Sequence, residues 1–234
     1  MDKAARLGER LVIEQLPPRQ ALADDVYEAV KALIMDAKVE PGGQLTIDTL
    51  ARELGVSQTP VREALARLES DDLVVKQGKR GYFATEELNS HEIEEMYALR
   101  LLLEPWAAAR AADRATKEQA RALAVLVESV PAMPKALGYR HLRVMANHDA
   151  MFHGQIFDLA HNAFVQHAFE RSHCFLHLFR VQYNQPETLR SAGAALDEHR
   201  SIAKAVASGD ADGAAEAMRG HLESALERIR SLAR

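Results

Sequence analysis

Hydrophobic side chains recur along this chain at the spacing of amphipathic helices. Between residues 20 and 88 the periodic stretches are short and are separated by glycine and proline, whereas residues 90–234 carry longer stretches with alanine-rich faces. A helix buries a stripe of positions spaced three and four residues apart, so the pattern predicts short helices first and long helices afterwards. The polar segment 84–89 predicts a linker, and the expected domains are residues 20–85 and 90–232.

The first domain is predicted to contain three helices and a β-hairpin. Helical stripes begin at Val26, Ile47 and Val61, and Gly55 permits a tight turn between the second and third helices. Short apolar runs then flank the sequence Gly-Lys-Arg-Gly at 78–81, which predicts two strands joined by a basic turn. Two helices separated by a three-residue turn are typical of a helix-turn-helix, whose second helix enters the major groove of DNA.

The exposed side of the third helix carries side chains that suit DNA recognition. Gln58, Thr59 and Arg62 lie near its N-terminal end, and such residues contact base edges and phosphates in protein–DNA complexes. Lys79 and Arg80 add positive charge at the hairpin tip, and a chain of net charge −5 needs such a local basic cluster to bind DNA. The same pattern also fits a small α+β domain with a polar face and a basic turn.

Composition narrows the function classes further. Hydrophobic residues make up 47% of the 234 positions and charged residues 27%, which is typical of a folded globular chain. No apolar run approaches the ~18 residues that span a bilayer, and the charged N-terminal segment lacks the apolar core of a signal peptide. The single cysteine, Cys174, excludes an intrachain disulfide framework and a cysteine-based zinc finger. We therefore expect a cytoplasmic protein without a membrane partner.

The segment 45–69 resembles the winged helix-turn-helix of the GntR family of bacterial transcription regulators. It contains the motif Leu-Ala-x-x-Leu-Gly-Val-Ser-x-Thr-Pro-Val-Arg-Glu-Ala-Leu-x-Arg-Leu. The resemblance implies that the third helix reads an operator and that the hairpin, or wing, touches the minor groove. The positions that it assigns to DNA contacts are Ser57, Gln58, Thr59 and Arg62 on the helix and Gln77, Gly78 and Lys79 at the wing tip. Asp48 stands where members of the family often carry a basic residue, so either the register is shifted or Arg52 supplies that phosphate contact.

The second domain is predicted to be an all-α bundle. Long apolar stripes, N-capping residues and prolines in the connecting segments mark its helices. The six predicted helices lie at residues 91–114, 117–130, 138–160, 163–182, 187–208 and 211–232.

Nine of the ten histidines follow residue 140, and three of them stand out together with an aspartate. Asp149 and His153 lie four residues apart on one helical face, and His199 and His221 lie in the middle of two later helices. One carboxylate and three imidazoles from three helices can close around a divalent ion inside a bundle. The same residues also fit a local Asp149–His153 pair with two ordinary core histidines.

Residues 92–225 resemble the FCD effector domain, the all-α half of the FadR branch of GntR regulators. The matches include Glu-Ile-x-x-Met-Tyr-x-x-Arg-x-x-Leu-Glu at residues 92–104 and Asp-x-x-x-His at residues 149–153. The resemblance implies a metal held by Asp149, His153, His199 and His221, with a small organic acid beside it. Six predicted helices suggest the VanR-like subgroup. Arg100 resembles a family arginine that faces this cavity, and we expect it either to bind the effector or to form an internal pair with Glu104.

Together these features predict a homodimeric transcription regulator that binds a palindromic double-stranded operator and responds to a small carboxylate. The expected cofactor is a divalent ion such as Zn²⁺, Ni²⁺ or Mn²⁺. We expect no enzymatic activity. The alternative function is a metal-dependent enzyme in which the Asp/His₃ site activates water, and a third is a metal-sensing or storage protein that does not bind DNA.

Overall fold

The computed structural model of the chain describes residues 20–130, 139–183 and 192–232. The chain forms two compact units, which divide between Ala84 and Thr85. Both units are built mainly from helices, and the described strands all lie in the first unit. The predicted class, mainly α with a small sheet beside the helix-turn-helix, is therefore confirmed.

The described part of the first unit consists of three α-helices, a three-stranded antiparallel sheet and one turn of 3₁₀ helix at Gly78–Arg80. In chain order the elements are α1 (Gln20–Met35), β1 (Gln44–Leu45), α2 (Ile47–Leu54), α3 (Gln58–Ser70), β2 (Val74–Lys76) and β3 (Tyr82–Ala84). β3 lies between the other two strands, so that Phe83 pairs with Gln44 on one side and with Val75 on the other. The predicted helices and hairpin are confirmed, and β1 is an additional strand.

Two residues define how α2 begins and ends. Thr46 caps its start, because the Thr46 hydroxyl accepts a hydrogen bond from the N–H of Thr49 at 3.4 Å. Gly55 ends the helix with a φ of 67°, a left-handed conformation that favours glycine, and its N–H reaches the carbonyls of Ala51 and Arg52. The chain can therefore turn sharply into α3.

α3 buries one face and exposes the other. Val61, Ala64, Leu65 and Leu68 are fully buried, and α3 packs against α1 on this side. The spacing of these four residues is the stripe that the sequence predicted. The opposite face of the helix consequently projects its polar side chains into solvent.

The described part of the second unit is entirely helical. Its elements are α4 (Ser90–Arg114), α5 (Lys117–Glu128), α6 (Tyr139–Ala160), α7 (Ala163–Glu170), α8 (Cys174–Tyr183), α9 (Ala192–Ser208) and α10 (Ala211–Leu232). α4 packs against α6, α9 and α10, and its fully buried alanines at 107, 108 and 111 let these neighbours approach closely. None of the helices in the described ranges is long and apolar enough to cross a membrane.

The single helix predicted over residues 163–182 is wrong, because two helices occupy this segment. α7 ends at Glu170, and His173 takes a left-handed φ of 47° before α8 begins. The carbonyl of Phe169 accepts hydrogen bonds from both the N–H and the hydroxyl of Ser172, so the end of α7 is satisfied locally. The described residues of this unit therefore form seven helices rather than six, and the VanR-like assignment loses the helix count on which it rested.

Candidate functional site

Three exposed side chains form a polar chain across the helix-turn-helix. Gln58, at the start of α3, donates from Nε2 to Oδ1 of Asp48 on α2 at 2.5 Å. Arg62, one turn further along α3, donates from Nη2 to Oε1 of Gln58 at 3.0 Å. The carboxylate of Asp48 therefore orients the Gln58 amide, and the amide in turn orients the guanidinium of Arg62. Asp48 lies in the first turn of α2.

The other residues that the sequence assigned to DNA on these two helices are also exposed. Arg52 pairs with its neighbour Glu53, with 3.2 Å between Nη2 and Oε1, and both side chains are about 70% exposed. Ser57 occupies the N-cap position of α3, but its side chain makes no capping hydrogen bond. Thr59 lies in the first turn of α3 and is exposed. An exposed pair such as Arg52–Glu53 can exchange partners at little cost in free energy.

The wing presents two basic side chains on a tightly closed turn. The N–H of Gln77 donates to the carbonyl of Gly81 at 2.8 Å, and the N–H of Arg80 donates to the carbonyl of Gln77 at 2.9 Å. Gly78 and Gly81 have φ values of 50° and 94°, which residues with side chains rarely adopt. Lys79 and Arg80 are exposed at this tip.

The second unit brings together the four residues predicted to bind metal. Asp149 and His153 project from α6, His199 from α9 and His221 from α10. One ligand atom from each lies within 4.8 Å of the others. All three histidines are buried, whereas the side chain of Asp149 is 35% exposed. The sequence therefore predicted which residues meet, and the packing of three helices places them together.

Unsatisfied nitrogens of this cluster are open to a ligand. Among the residues that the structure describes, Nε2 of His199 and both ring nitrogens of His153 are buried and make no hydrogen bond. Nδ1 of His153 lies against Oε2 of Glu104, whereas the Nε2 atoms of His153 and His199 lie 3.8 Å and 3.4 Å from Oδ1 of Asp149. A buried unsatisfied polar atom costs about 1–3 kcal/mol, so nitrogens facing a shared carboxylate fit a cation-binding site.

Burial also favours the protonation state that metal binding needs. It lowers the pKa of His199 well below the usual value for histidine. Burial likewise lowers the pKa of His221, against the opposing effect of a hydrogen bond with Glu198. Metal binds neutral imidazole, so both residues are prepared as ligands at neutral pH.

A buried ion pair adjoins the cluster on the α4 side. Arg100 donates from Nε to Oε1 of Glu104, and Oε2 of Glu104 contacts Nδ1 of His153. The Arg100 guanidinium lies 5.0 Å from the ring centre of Tyr97 and 5.1 Å from that of Phe175. The internal Arg100–Glu104 pair, one of the two alternatives for Arg100, is thus present. Contact between Arg100 and an effector stays a prediction.

A second carboxylate, which the sequence analysis missed, adjoins His221. Nδ1 of His221 lies 2.7 Å from Oε2 of Glu198, and Arg228 donates to both oxygens of Glu198 at 2.7 and 2.9 Å. Although burial opposes it, hydrogen bonds from His221 and Arg228 lower the pKa of Glu198 to about 2. The sequence did place an arginine beside His221, because Arg228 follows it by seven residues and so shares its helical face. That arginine indicates that a carboxylate could lie near His221, but it does not identify Glu198.

Comparison with known proteins agrees with both units. Residues 95–224 match the profile of the FCD domain, and residues 22–83 match that of "Bacterial regulatory proteins, gntR family". The chain is 26% identical over 206 residues to the uncharacterised HTH-type transcriptional regulator YdhC of Bacillus subtilis, covering 87% of this chain and 89% of that protein. It is 23% identical over 218 residues to the HTH-type transcriptional repressor RspR of Escherichia coli, covering 93% of each.

Solved structures show the same fold. A GntR transcriptional regulator from Rhodococcus sp. RHA1 matches with a TM-score of 0.70 and 24% identity, over 91% of this chain and 99% of that one. McbR/YncC of E. coli matches with a TM-score of 0.70 and 19% identity, over 90% and 98% of the two chains. The FCD match spans more than half of the 234 residues and the gntR match covers the helix-turn-helix unit. The chain therefore belongs to the GntR family of DNA-binding transcriptional regulators and carries an FCD domain.

Proposed function

We propose that this regulator reads a DNA operator with its first unit and senses a small carboxylate at a divalent metal ion in its second unit. The observation that carries the sensing function is the cluster of Asp149, His153, His199 and His221, whose ligand atoms lie within 4.8 Å of one another. We infer regulation rather than catalysis, since the relatives named above are transcriptional regulators. Operator binding places its action in the cytoplasm, where bacterial DNA lies.

The DNA-binding surface that we propose combines Arg52 on α2 with the N-terminal end of α3 and with the wing. Glutamine and arginine side chains read base edges, while lysine, arginine and hydroxyl groups contact phosphates. Exposure of these types on α3, opposite its buried stripe, supports this assignment. The residues of the surface are Arg52, Ser57, Gln58, Thr59, Arg62, Gln77, Gly78, Lys79 and Arg80.

We propose that the protein acts as a homodimer. Leu99, Leu102 and Trp106 form an apolar stripe on α4 and are 37%, 75% and 39% exposed. Their spacing of three and four residues puts them on one face of the helix, which a second copy of the chain would bury. A dimer with two-fold symmetry pairs two winged units with the two halves of a palindromic operator.

The donor set limits the metal. One carboxylate oxygen and three imidazole nitrogens, without a thiolate, suit Zn²⁺, Ni²⁺ or Mn²⁺, and the order of affinities alone does not choose among them. The ion would supply a Lewis acid to which an incoming carboxylate can bind. Asp149 is the one anionic member of this cluster, so a bound divalent ion keeps a net positive charge.

That residual charge is the reason to expect an anionic effector. The nearby carboxylates Glu104 and Glu198 are each paired with an arginine, so neither is free to neutralise the ion. A small hydroxy or dicarboxylic acid would neutralise it in their place. We propose Arg100 as a second contact for the effector, because its buried guanidinium is joined to the cluster through Glu104.

Calorimetric titration tests this function with malate, citrate and succinate as probes. At least one acid is expected to bind Zn²⁺-loaded protein, to leave chelator-treated protein unbound, and to change the affinity for an operator selected from random duplexes. The variant Arg62→Ala provides the control, because it should lose about 1–3 kcal/mol of operator affinity while it binds the acid normally. Equal binding of the acid to chelator-treated protein would show that the effector does not use the metal.

A further inference from the structure

Two of the three imidazoles in the cluster place their second nitrogen against a carboxylate that an arginine holds. On α9 and α10, Nδ1 of His221 lies 2.7 Å from Oε2 of Glu198. Arg228 donates from Nη1 to Oε1 of Glu198 at 2.7 Å and from Nη2 to Oε2 at 2.9 Å. The guanidinium fixes the carboxylate plane, and the carboxylate in turn fixes the imidazole.

The same order of groups recurs at His153. Oε2 of Glu104 contacts Nδ1 of His153, and Nε of Arg100 donates to Oε1 of the same carboxylate. All three side chains are at most 2% exposed, so solvent does not compete for these contacts. Two arginine–carboxylate–imidazole series therefore meet at the cluster, one from α4 and α6 and the other from α9 and α10.

A neutral imidazole carries one proton, and its position decides which nitrogen can bind a cation. A carboxylate facing Nδ1 keeps the proton there, because the N–H donates to the carboxylate oxygen. The lone pair then lies on Nε2. In His153, Nε2 is the nitrogen that lies 3.8 Å from Oδ1 of Asp149, on the side of the cluster.

We propose that Glu104 and Glu198 are positioning residues that hold His153 and His221 as Nδ1–H tautomers, so that both present Nε2 to the metal. The proposal rests on the metal site proposed above. Histidine ligands in metalloproteins commonly donate their second N–H to such a carboxylate, which fixes the ring and raises its basicity. The arginines have a separate role, because they occupy carboxylate oxygens that would otherwise compete for the ion.

The pairing with arginine sets the charge of the whole site. Each glutamate is balanced by its own guanidinium, so the two series add no net charge around the cluster. Asp149 thus stays the single uncompensated carboxylate among the four cluster residues. The second series is suited to mutation, since the side chains of Glu198 and Arg228 are 24% and 23% exposed and a change there does not strand a fully buried ion.

Nitrogen NMR reads the tautomers without any metal. Full-length, ¹⁵N-labelled protein is stripped with chelator, and long-range ¹H–¹⁵N spectra are assigned by comparison with His153→Gln and His221→Gln. Both residues are expected to show a protonated Nδ1 and an unprotonated Nε2. A protonated Nε2 at His221 overturns the role of Glu198, and the same result at His153 overturns the role of Glu104.

The variant Glu198→Gln tests the consequence for metal binding. Glutamine offers one acceptor oxygen where glutamate offers two, so Arg228 and His221 must compete for it. Zn²⁺ affinity, measured by competition with a chromophoric chelator, is expected to fall roughly 10–100-fold, and His221 should lose its defined tautomer while His153 keeps it.

The matched control is Glu128→Gln. Glu128 also accepts two hydrogen bonds from one arginine, Arg200, at 2.7 and 2.9 Å, but both partners are exposed. This variant should keep the Zn²⁺ affinity and both tautomers of the wild type. Wild-type affinity and tautomer in Glu198→Gln would overturn the proposal. If the wild type binds no metal at all, the proposed metal site is wrong. The tautomers of His153 and His221 in metal-free protein then still show whether Glu104 and Glu198 hold the two rings.

Discussion

Two fully charged side chains lie inside the second unit, and each compensates the buried charge of the other. Arg100 and Glu104 are 2% and 0% exposed. Burial alone would raise the pKa of Glu104, but the charge of Arg100 and its hydrogen bond lower it to about 2, so the carboxylate stays ionised. A buried charge is tolerated only where a partner compensates the loss of hydration.

Removal of the arginine should therefore be costly. Arg100→Met leaves the Glu104 carboxylate buried beside His153 without its guanidinium, and we expect the free energy of unfolding to fall by about 3–5 kcal/mol. Urea denaturation of the full chain measures the loss. Arg200→Met is the control, because Arg200 is 43% exposed and solvent-screened ion pairs of this kind contribute little to stability. If both variants lose the same free energy of unfolding, Arg100 does not stabilise the buried charge of Glu104.

The sequence predicted some residues of the site because they share one helix. Asp149 and His153 are four residues apart, so helical geometry alone puts them on one face. The meeting of His221 with Glu198, 23 residues apart, depends on how α9 packs against α10, and no spacing rule predicts that contact. Sequence patterns therefore identified the four residues of the cluster, but not the contacts of Glu104 and Glu198 with its histidines.

At the scale of elements, side chains tie α3 to α2, the helix before it. Asp48 on α2 holds the amide of Gln58 on α3, and the amide holds Arg62. Because the carboxylate of Asp48 accepts from the NH₂ group of Gln58, the amide oxygen of Gln58 points the other way and accepts from the guanidinium of Arg62. Asp48 thus sets the orientation of two side chains that we propose to read bases.

We expect Asp48→Ala to lower specificity without lowering overall affinity. Loss of one carboxylate near the duplex should strengthen binding to any sequence. Release of Gln58 should reduce the difference in binding free energy between the operator and a random duplex by about 1–3 kcal/mol, so the ratio of the two affinities falls. Fluorescence anisotropy at fixed salt measures both affinities. Glu53→Ala removes an exposed carboxylate from the same helix without touching Gln58, so it should strengthen binding and keep the ratio. A ratio unchanged in Asp48→Ala would contradict the orienting role.

Periodicity predicted whole elements well and their interruptions poorly. The stripes of α2 and α3 appear in the sequence because each buries residues at helical spacing. The break between α7 and α8 was missed because the apolar pattern continues through it, while hydrogen bonds from Ser172 to Phe169 end the first helix. β1 has two residues, too few for an alternating pattern.

At the scale of the molecule, the chain joins a helix-turn-helix unit of the GntR family to a unit whose Asp/His₃ cluster could hold a metal ion. A ligand bound to one unit changes DNA affinity only if it binds the DNA-competent and incompetent states differently. A carboxylate that bridges the ion and Arg100 would contact α4, α6, α9 and α10 at once, so it can favour one packing of these helices over another. The whole account depends on the presence of that ion.

Metal content per chain tests this claim most directly. Protein without a His-tag is purified without chelator, equilibrated with Zn²⁺, Ni²⁺ or Mn²⁺, desalted and analysed by plasma mass spectrometry. The account predicts one divalent ion per chain in the wild type and in His167→Ala, which removes an exposed histidine, and loss of that ion in the His199→Ala/His221→Ala double variant. An equal metal content in the wild type and the double variant, or a wild type that retains none of the three ions, would contradict it.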